Sequence, residues 1–240
     1  MSMLLRLAGV HTHIGRYHIL HGVDLSVVAG ETNMLLGRNG AGKTTTLRTI
    51  MGLWPASAGE ISFGETPIEK LGTPDIANAG IGYVPETMAV FSDLSVKENL
   101  VLAARNGPIN DARLAWIFGF FPALKKFWLS RAGTLSGGQK QMLSIARAII
   151  EPRKLLLVDE PTKGLAPAIV DALIECLAEI KRKGTTILLV EQNFRVAQKL
   201  GDQVFVMDDG HIVHSGRMEA LVADTPLQQK LLGLSLDAHQ

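Results

Sequence analysis

A glycine-rich stretch at residues 37–44 reads GRNGAGKT and lies between an apolar segment and a helical one. Residues 32–36 are predicted to form a buried strand, and residues 43–53 a helix closed by Gly52 and Pro55. The pattern GxxxxGK[ST] between a strand and a helix is typical of a loop whose backbone N–H groups wrap phosphate oxygens. The sequence therefore predicts a strand, a nucleotide-binding loop and a helix, in that order.

This loop supplies most of the expected nucleotide contacts. Lys43 should reach the β- and γ-phosphates, and the hydroxyl of Thr44 should ligate Mg²⁺. A glycine turn without a ligand is the alternative, and the flanking strand and helix argue against it. The residues expected to contact the nucleotide here are Gly37, Arg38, Asn39, Gly40, Ala41, Gly42, Lys43, Thr44 and Thr45.

A second apolar segment ends in two adjacent carboxylates. Residues 155–158 are predicted to form a buried strand that brings Asp159 and Glu160 to its carboxyl end, where α/β folds bind ligands. Asp159 is expected to hold Mg²⁺, mostly through water. After a matching phosphate loop, this interpretation is favoured over an acidic pair that faces solvent.

Strand and helix patterns alternate in the second half of the chain. Residues 155–158 and 185–190 are typical of strands, and residues 167–183 of an amphipathic helix. Such alternation predicts a parallel sheet covered by helices. Antiparallel strands are predicted at residues 4–7, 23–28 and 61–63, and a hairpin at residues 204–214.

The region between residues 86 and 150 has a mostly helical pattern and contains a second glycine motif. Residues 135–139 read LSGGQ. Ser136 is expected to cap a helix that begins near Gly138, and the glycines leave the first N–H groups open to a ligand.

The phosphate loop, LSGGQ and the acidic strand, in this order, resemble the ATP-binding cassette (ABC) family over nearly the whole chain. The resemblance implies an α/β fold: a P-loop NTPase ABC cassette with a mixed RecA-like sheet, an antiparallel β subdomain and an inserted helical subdomain. Residues 1–240 would form a single ABC ATPase domain. Residues 1–85 and 151–240 would be the nucleotide-binding core with the antiparallel β subdomain, and residues 86–150 the helical subdomain that carries the signature.

The same resemblance implies roles for single residues, with ATP and Mg²⁺ as cofactors. Glu160 takes the position of the general base that polarises the attacking water. The signature residues are expected to cover the γ-phosphate that a partner's loop holds. These residues are Ser136, Gly137, Gly138 and Gln139.

Three positions depart from the usual cassette pattern. Glu86 replaces a glutamine, Gln192 replaces a histidine that contacts the γ-phosphate, and residues 164–167 read GLAP. We expect Glu86 to ligate Mg²⁺ or orient water and Gln192 to donate an amide hydrogen bond to phosphate. Together with Glu160 and Lys43, these two complete the expected catalytic set. A cassette without hydrolysis is the alternative, and Glu160 and the intact signature argue against it.

The three departures together resemble the second-type ATPase subunit of branched-chain amino-acid importers. This implies an ATP-hydrolysing subunit that drives import by ATP-dependent cassette dimerisation, peripheral at the cytoplasmic face of the inner membrane. The implied partners are a second ABC ATPase subunit or a second copy of this chain, transmembrane permease subunits and, indirectly, a solute-binding protein. Importers of urea, amides or short peptides and a non-transport ABC ATPase are alternatives. A simple phosphotransferase would leave the signature unexplained.

Charge and hydropathy agree with this interpretation. The formal net charge of +1 creates no strong field for nucleic acid, so no nucleic-acid partner is expected. No apolar run approaches the ~18 residues needed to cross a bilayer. We therefore expect a soluble or peripheral chain whose membrane-crossing partners are separate subunits.

Three features leave alternatives open. The adenine ring is expected to contact Ile14, His13 or Tyr17. A metal site among four histidines is less favoured than ordinary surface histidines, because only two of them, at positions 11 and 13, share an obvious strand face. Six aromatic residues form either a local core or a socket for a helix of a membrane subunit, with at least one ring exposed. The four histidines are His11, His13, His18 and His21, and the aromatic residues are Trp116, Phe118, Phe120, Phe121, Phe127 and Trp128.

Overall fold

Two β-sheets and a group of helices make up the computed structural model, which describes residues 2–105 and 107–233. Met1, Asn106 and residues 234–240, which belong to the domain predicted over residues 1–240, lie outside the described residues. The strands are β1 (Met3–Ile14), β2 (Tyr17–Val28), β3 (Thr32–Gly37), β4 (Ala56–Phe63), β5 (Thr66–Pro67), β6 (Ile81–Val84), β7 (Leu155–Asp159), β8 (Thr186–Val190), β9 (Gln203–Asp208) and β10 (His211–Arg217). The helices are α1 (Lys43–Ile50), α2 (Thr73–Asn78), α3 (Val96–Ala103), α4 (Asp111–Phe120), α5 (Pro122–Lys126), α6 (Gly137–Ile149), α7 (Pro167–Arg182), α8 (Phe194–Leu200), α9 (Met218–Ala223) and α10 (Thr225–Leu232).

The first sheet is antiparallel, with the strand order β2-β1-β4-β5. Strands β1 and β2 form a long hairpin, and β1 also pairs with β4. The predicted antiparallel strands are confirmed, but β1 and β2 are longer than the sequence suggested. Buried leucines such as Leu5, Leu7, Leu20 and Leu25 recur along both strands, so that one face of the hairpin packs on the core.

The second sheet is mixed, with the strand order β10-β9-β3-β8-β7-β6. Strands β6, β7, β8, β3 and β9 run parallel, as predicted from the alternation of strand and helix. Strand β10 returns antiparallel through a turn at Asp209 and Gly210, with φ values of 42° and 73°. Every residue of β7 and β8 is buried, since elements cover both faces of this sheet.

Side chains of the mixed sheet point alternately into two cores. Leu156 and Leu189 belong to the core that also contains residues of helices α6 and α7. Leu155 and Leu188 belong to the core shared with the antiparallel sheet and helix α1. The helix that follows the phosphate loop and the helix that carries the signature therefore lie on opposite faces of the sheet.

Helices α3, α4, α5 and α6 form a helical region that lies between β6 and β7. Phe121 is fully buried, and the other five aromatic residues of this region are partly buried against the same core. Trp116 with Phe120, and Phe118 with Trp128, pack edge to face. The aromatic cluster therefore forms a local core, as the favoured interpretation predicts, and five of its six rings keep part of their surface exposed. Trp116 also lines a cavity of about 490 Å³. The large apolar side chains that the region does expose include Phe91, Val101 and Leu102.

Gly37, at the end of β3, leaves no room for a side chain. Its φ is 146°, and a Cβ atom would lie 2.2 Å from the carbonyl oxygen of Met207. We expect Gly37→Ala to lower the free energy of unfolding by about 2–4 kcal/mol, measured by urea titration. Gly64→Ala is a matched control, because Gly64 has a φ of 60° but no atom within 4 Å of the added Cβ. Its backbone strain alone should cost ~1 kcal/mol, and equal losses in both variants would contradict the steric explanation.

Candidate functional site

The phosphate loop leaves β3 and enters α1 as the sequence predicts. Gly42, with a φ of 106°, is the N-cap of α1, and no described side chain caps this end, so its first N–H groups are free to bind an anion. The helix ends at Ile50 rather than near residue 53, because Met51 caps it and Gly52 has a φ of 68°. The loop borders a cavity of about 320 Å³, which is lined by Ile19, Asn39, Gly40, Gly42, Lys43, Thr44, Thr45, Glu86, Glu160 and Lys163.

The ammonium group of Lys43 lies against its own loop. Its Nζ donates to the carbonyl oxygens of Gly37 at 2.8 Å and Arg38 at 2.9 Å, and it lies 3.8 Å from Oε1 of Glu160. Burial lowers the pKa of Lys43, and the negative charges of Glu160 and Asp159 oppose that shift. The ammonium group is thus held at the cavity by two carbonyl oxygens of its own loop.

Asp159 is fully buried at the end of β7 and accepts two hydroxyl donors. Oγ1 of Thr44 donates to Oδ1 at 3.0 Å, and the hydroxyl of Tyr83 donates to Oδ2 at 3.4 Å. Burial raises the pKa of Asp159 to about 6; the charges of Glu86 and Glu160 add to the shift, and the hydrogen bond from Thr44 opposes it. A cation stabilises a carboxylate in this setting, and carboxylate and hydroxyl oxygens are the ligands that Mg²⁺ prefers.

Glu160 and Gln192 are joined to each other and to the phosphate loop. Nε2 of Gln192 donates to Oε1 of Glu160 at 2.6 Å and to Oδ1 of Asn39 at 2.5 Å. Glu160 has a φ of 45°, a strained conformation for a residue other than glycine, and its N–H donates to the carbonyl of Val190. The ends of β7 and β8 therefore bring these two side chains together at the loop.

Glu86 reaches the same cavity from the segment after β6. Its Oε1 accepts a hydrogen bond from Nζ of Lys163 at 2.7 Å, and that Nζ lies 3.5 Å from Oε2 of Glu160. The hydrogen bond to Glu86 and the charge of Glu160 raise the pKa of Lys163. Lys163 was not predicted from the sequence, where its only signal is a cation three residues after Glu160.

Another unpredicted residue, the buried Glu191, connects two loops of the site. Oε1 of Glu191 accepts two hydrogen bonds from Thr162, one from the hydroxyl at 2.7 Å and one from the backbone N–H at 3.3 Å. The N–H groups of Gln192 and Asn193 also donate to Glu191, at 3.1 and 3.2 Å. Burial raises its pKa, against these hydrogen bonds. Glu191 thus fixes the loop after Glu160 relative to Gln192; its sequence signal is an acid directly after a buried strand.

The signature lies apart from the phosphate cavity. The N–H of Gln139 donates to Oγ of Ser136 at 3.3 Å, and the N–H of Ser136 donates to Oε1 of Gln139 at 2.9 Å, which confirms the predicted cap as a capping box. Helix α6 begins at Gly137, one residue earlier than expected, and Ser136 and Gly137 are exposed. None of the described residues that line the phosphate cavity belongs to the signature.

The hairpin of β1 and β2 carries the three candidates for adenine contact. His13 stacks on His18 with ring centroids 4.1 Å apart, and Tyr17 is 61% exposed. Neither of these residues nor Ile14 lines the described phosphate cavity. Ile19, which was not predicted, does line it.

The histidines of this hairpin form a stack, contrary to the expectation that only His11 and His13 share a face. The strand register pairs His11 with His21 and His13 with His18, through irregularities that bring all four rings together. The stack continues to His211, 5.3 Å from His21. Partial burial and the imidazoles of His18 and His211 lower the pKa of His21. In residues 2–105 and 107–233, no group of three or more His, Cys, Asp or Glu side chains is arranged to hold a metal ion.

Comparison with known proteins agrees with this geometry. A family model described as ABC transporter matches residues 20–163, so the chain belongs to the ABC transporter family and is one of its ATP-binding cassettes, an ATPase. The chain is 39% identical over 226 residues to the high-affinity branched-chain amino acid transport ATP-binding protein BraG of Pseudomonas aeruginosa, covering 93% of this chain and 97% of that protein. It is 31% identical over 234 residues to the probable branched-chain amino acid transport ATP-binding protein LivF of Archaeoglobus fulgidus, covering 96% and 99%.

Solved structures confirm the predicted P-loop NTPase cassette fold. An ATP binding subunit of an ABC transporter superposes with a TM-score of 0.81 at 30% identity, over 98% of this chain and 96% of that chain. A dimeric cassette bound to ADP and Pi superposes with a TM-score of 0.80 at 23% identity, over 90% and 99%. Within the part of the chain that the structure describes, each helix is too short or too polar to span a bilayer.

Asp159→Asn tests how much the burial of the Asp159 carboxylate lowers the free energy of unfolding. Because the pKa is raised from 3.8 to about 6 on folding, the folded chain binds this proton more tightly than the unfolded chain. Without nucleotide, the stability contributed by the protonated group is therefore lost as pH rises from about 4 through about 6. Near neutral pH, we expect the free energy of unfolding of the asparagine variant to be about 1–3 kcal/mol higher than that of the wild-type chain. We also expect Mg²⁺ no longer to change the nucleotide affinity of this variant.

Urea titrations at acid and neutral pH measure this difference, and nucleotide titrations with and without Mg²⁺ measure the second effect. Asp171→Asn is the matched control, because the Asp171 side chain is 56% exposed and its Oδ1 forms a surface ion pair with Nζ of Lys199 at 3.7 Å. Its stability should change by less than about 0.5 kcal/mol. A gain for Asp159→Asn that is the same at both pH values would contradict the electrostatic explanation.

Proposed function

We propose that this chain is the ATP-hydrolysing subunit of an ABC importer for branched-chain amino acids, driven by ATP-dependent closure of two cassettes. The observation that carries the proposal is the separation of two half-sites: the phosphate cavity, and the exposed start of the signature at Ser136 and Gly137, which lies outside it. One cassette contacts bound ATP from one side only. Residues 1–240 form a single ABC ATPase domain in this proposal, with residues 1–85 and 151–240 as its core and 86–150 as the signature subdomain.

The contacts of the polar side chains support individual roles in hydrolysis. Lys43 exchanges its carbonyl acceptors for the β- and γ-phosphates, while the N–H groups of the phosphate loop bind the remaining oxygens. Glu160, held by Gln192, polarises the attacking water, and the Gln192 amide also donates to the γ-phosphate. Both side chains lie at the loop, within reach of the same phosphate group.

Mg²⁺ is the second cofactor in this proposal. Oγ1 of Thr44 and Oδ1 of Asp159 are hard oxygen ligands that lie 3.0 Å apart, and Glu86 supplies a further carboxylate at the cavity that Thr44 lines. The bound ion would neutralise charge on the phosphates during transfer. It would also relieve the electrostatic cost of the buried Asp159 carboxylate.

The missing half of the site comes from a second cassette, either a related ATPase or another copy of this chain. A solved relative is itself a dimeric cassette bound to ADP and Pi. In the closed pair, Ser136, Gly137, Gly138 and Gln139 would cover the γ-phosphate on the partner's loop. The capping box engages the N–H groups of Ser136 and Gln139, so the N–H groups of Gly137 and Gly138 would be available to bind that anion.

A groove between the end of α1 and the helical region suits a membrane partner. Its volume is about 450 Å³, and its lining includes Leu53, Met88 and Leu102. Leu53 and Leu102 are exposed, although they are large and apolar. Such a groove fits the apolar face of an amphipathic helix. We propose that it receives a cytoplasmic helix of a transmembrane permease subunit, which makes this chain peripheral at the inner face of the membrane, with a solute-binding protein as an indirect partner.

Glu160→Gln separates nucleotide binding from hydrolysis. The amide still accepts a hydrogen bond from Gln192 but is no longer a base, so we expect turnover to fall at least about 100-fold while ATP affinity changes little. ATP should then hold the variant in a dimer, which size-exclusion chromatography detects. Glu175→Gln, at an exposed position of α7, is the control and should behave as wild type. Unchanged turnover in Glu160→Gln would refute the assignment of the base.

The solute is tested by uptake in cells that lack this chain. We expect uptake of labelled leucine, isoleucine and valine to fall, and to return with the wild-type chain but not with Glu160→Gln. Loss of urea, amide or short-peptide uptake instead would reassign the solute and leave the ATPase assignment intact. A chain with no effect on any uptake would contradict the importer proposal.

A further inference from the structure

Lys163 links two carboxylates at the mouth of the phosphate cavity. Its Nζ lies 2.7 Å from Oε1 of Glu86 and 3.5 Å from Oε2 of Glu160. Glu86 lies in the segment after β6, and Glu160 lies just after the end of β7. Lys163 therefore joins two separate parts of the site, and it is 77 positions from Glu86 in the sequence. All three side chains line the same cavity.

Lys163 supplies one of the two positive charges that line the cavity, and the Asp159 carboxylate adds a negative charge beside the lining residue Thr44. The ionisable residues among the lining residues are Lys43, Glu86, Glu160 and Lys163, two cations and two anions. Without Lys163, the cavity would carry an excess negative charge at the place where the phosphates of ATP must bind. A like charge a few ångströms from a phosphate opposes binding, because the two negative charges repel each other.

We propose that Lys163 is a positioning residue of the ATPase site. It neutralises Glu86 and holds the carboxylates of Glu86 and Glu160 at fixed places over the phosphate loop, so that a carboxylate at position 86 is compatible with nucleotide binding. Its effect on hydrolysis rests on the proposed role of Glu160 as the base. Its effect on nucleotide affinity does not depend on that role.

The solvent exposure of Lys163 and Glu86 indicates which property of the chain the loss of Lys163 should change. The side chains of Lys163 and Glu86 are 57% and 36% exposed. Ion pairs this open to solvent contribute little to folding stability. Loss of Lys163 should therefore leave thermal unfolding nearly unchanged and should appear instead in nucleotide affinity and turnover.

A double-mutant cycle between Lys163 and Glu86 tests the proposal on the full-length chain. The variants are Lys163→Met, Lys163→Arg, Glu86→Gln and the double variant Lys163→Met with Glu86→Gln. Affinity for ATP with Mg²⁺ is measured by displacement of a fluorescent ATP analogue, and kcat and KM are measured by phosphate release. Lys199→Met, which removes an exposed lysine that pairs with Asp171 on the surface, is the matched control and should retain wild-type values.

We expect Lys163→Met to weaken ATP affinity about tenfold, equivalent to ~1.4 kcal/mol, while Lys163→Arg stays within about threefold of wild type. In the Glu86→Gln background, the same Lys163→Met change should cost clearly less, because the negative charge it exposes is absent. Equal losses in both backgrounds, or wild-type affinity in Lys163→Met, would overturn the proposal. These outcomes are independent of Glu160→Gln, whose turnover alone decides the role of the base.

Discussion

The register of the parallel strands β3, β8 and β7 is the constraint on which the site depends. Leu35 of β3 pairs with Val190 of β8, and Val190 pairs with Asp159 of β7, so that these strands end at one level. The phosphate loop, the acidic pair and Gln192 all begin at or just beyond that level. Because these strands pack on both faces, a shift of one residue would misplace side chains in both cores, and the register is fixed accordingly.

The acidic residues at the carboxyl ends of the parallel strands lower the stability of the fold. Burial of Asp159 without a cation is costly, as its raised pKa indicates, and the strained φ of Glu160 adds a local cost. Two other residues reduce this cost. Glu191 fixes the loop after Glu160 relative to the loop that carries Gln192, and Lys163 pairs with the negative charge of Glu86. The folded core thus holds a buried carboxylate and a strained residue at this edge of the sheet despite their cost.

Local patterns in the sequence predicted much of the fold and part of the site. The phosphate loop, the strand that ends at Asp159 and the cap at Ser136 each depend on residues within a few positions of one another, and each was predicted correctly. Errors arose where distant elements decide. The histidines on β1 and β2 stack because of an irregular pairing of the two strands.

The sequence by itself determined the class of fold, the phosphate loop and the capped signature helix, because backbone propensity and i to i+3 hydrogen bonds act over short stretches of chain. The tertiary structure alone decided the contacts of Gln192 with Glu160 and Asn39, and those of Lys163 with Glu86. These pairs are separated by 32 to 153 positions. Their side chains meet only after the parallel strands are aligned and packed, and no local pattern encodes that alignment.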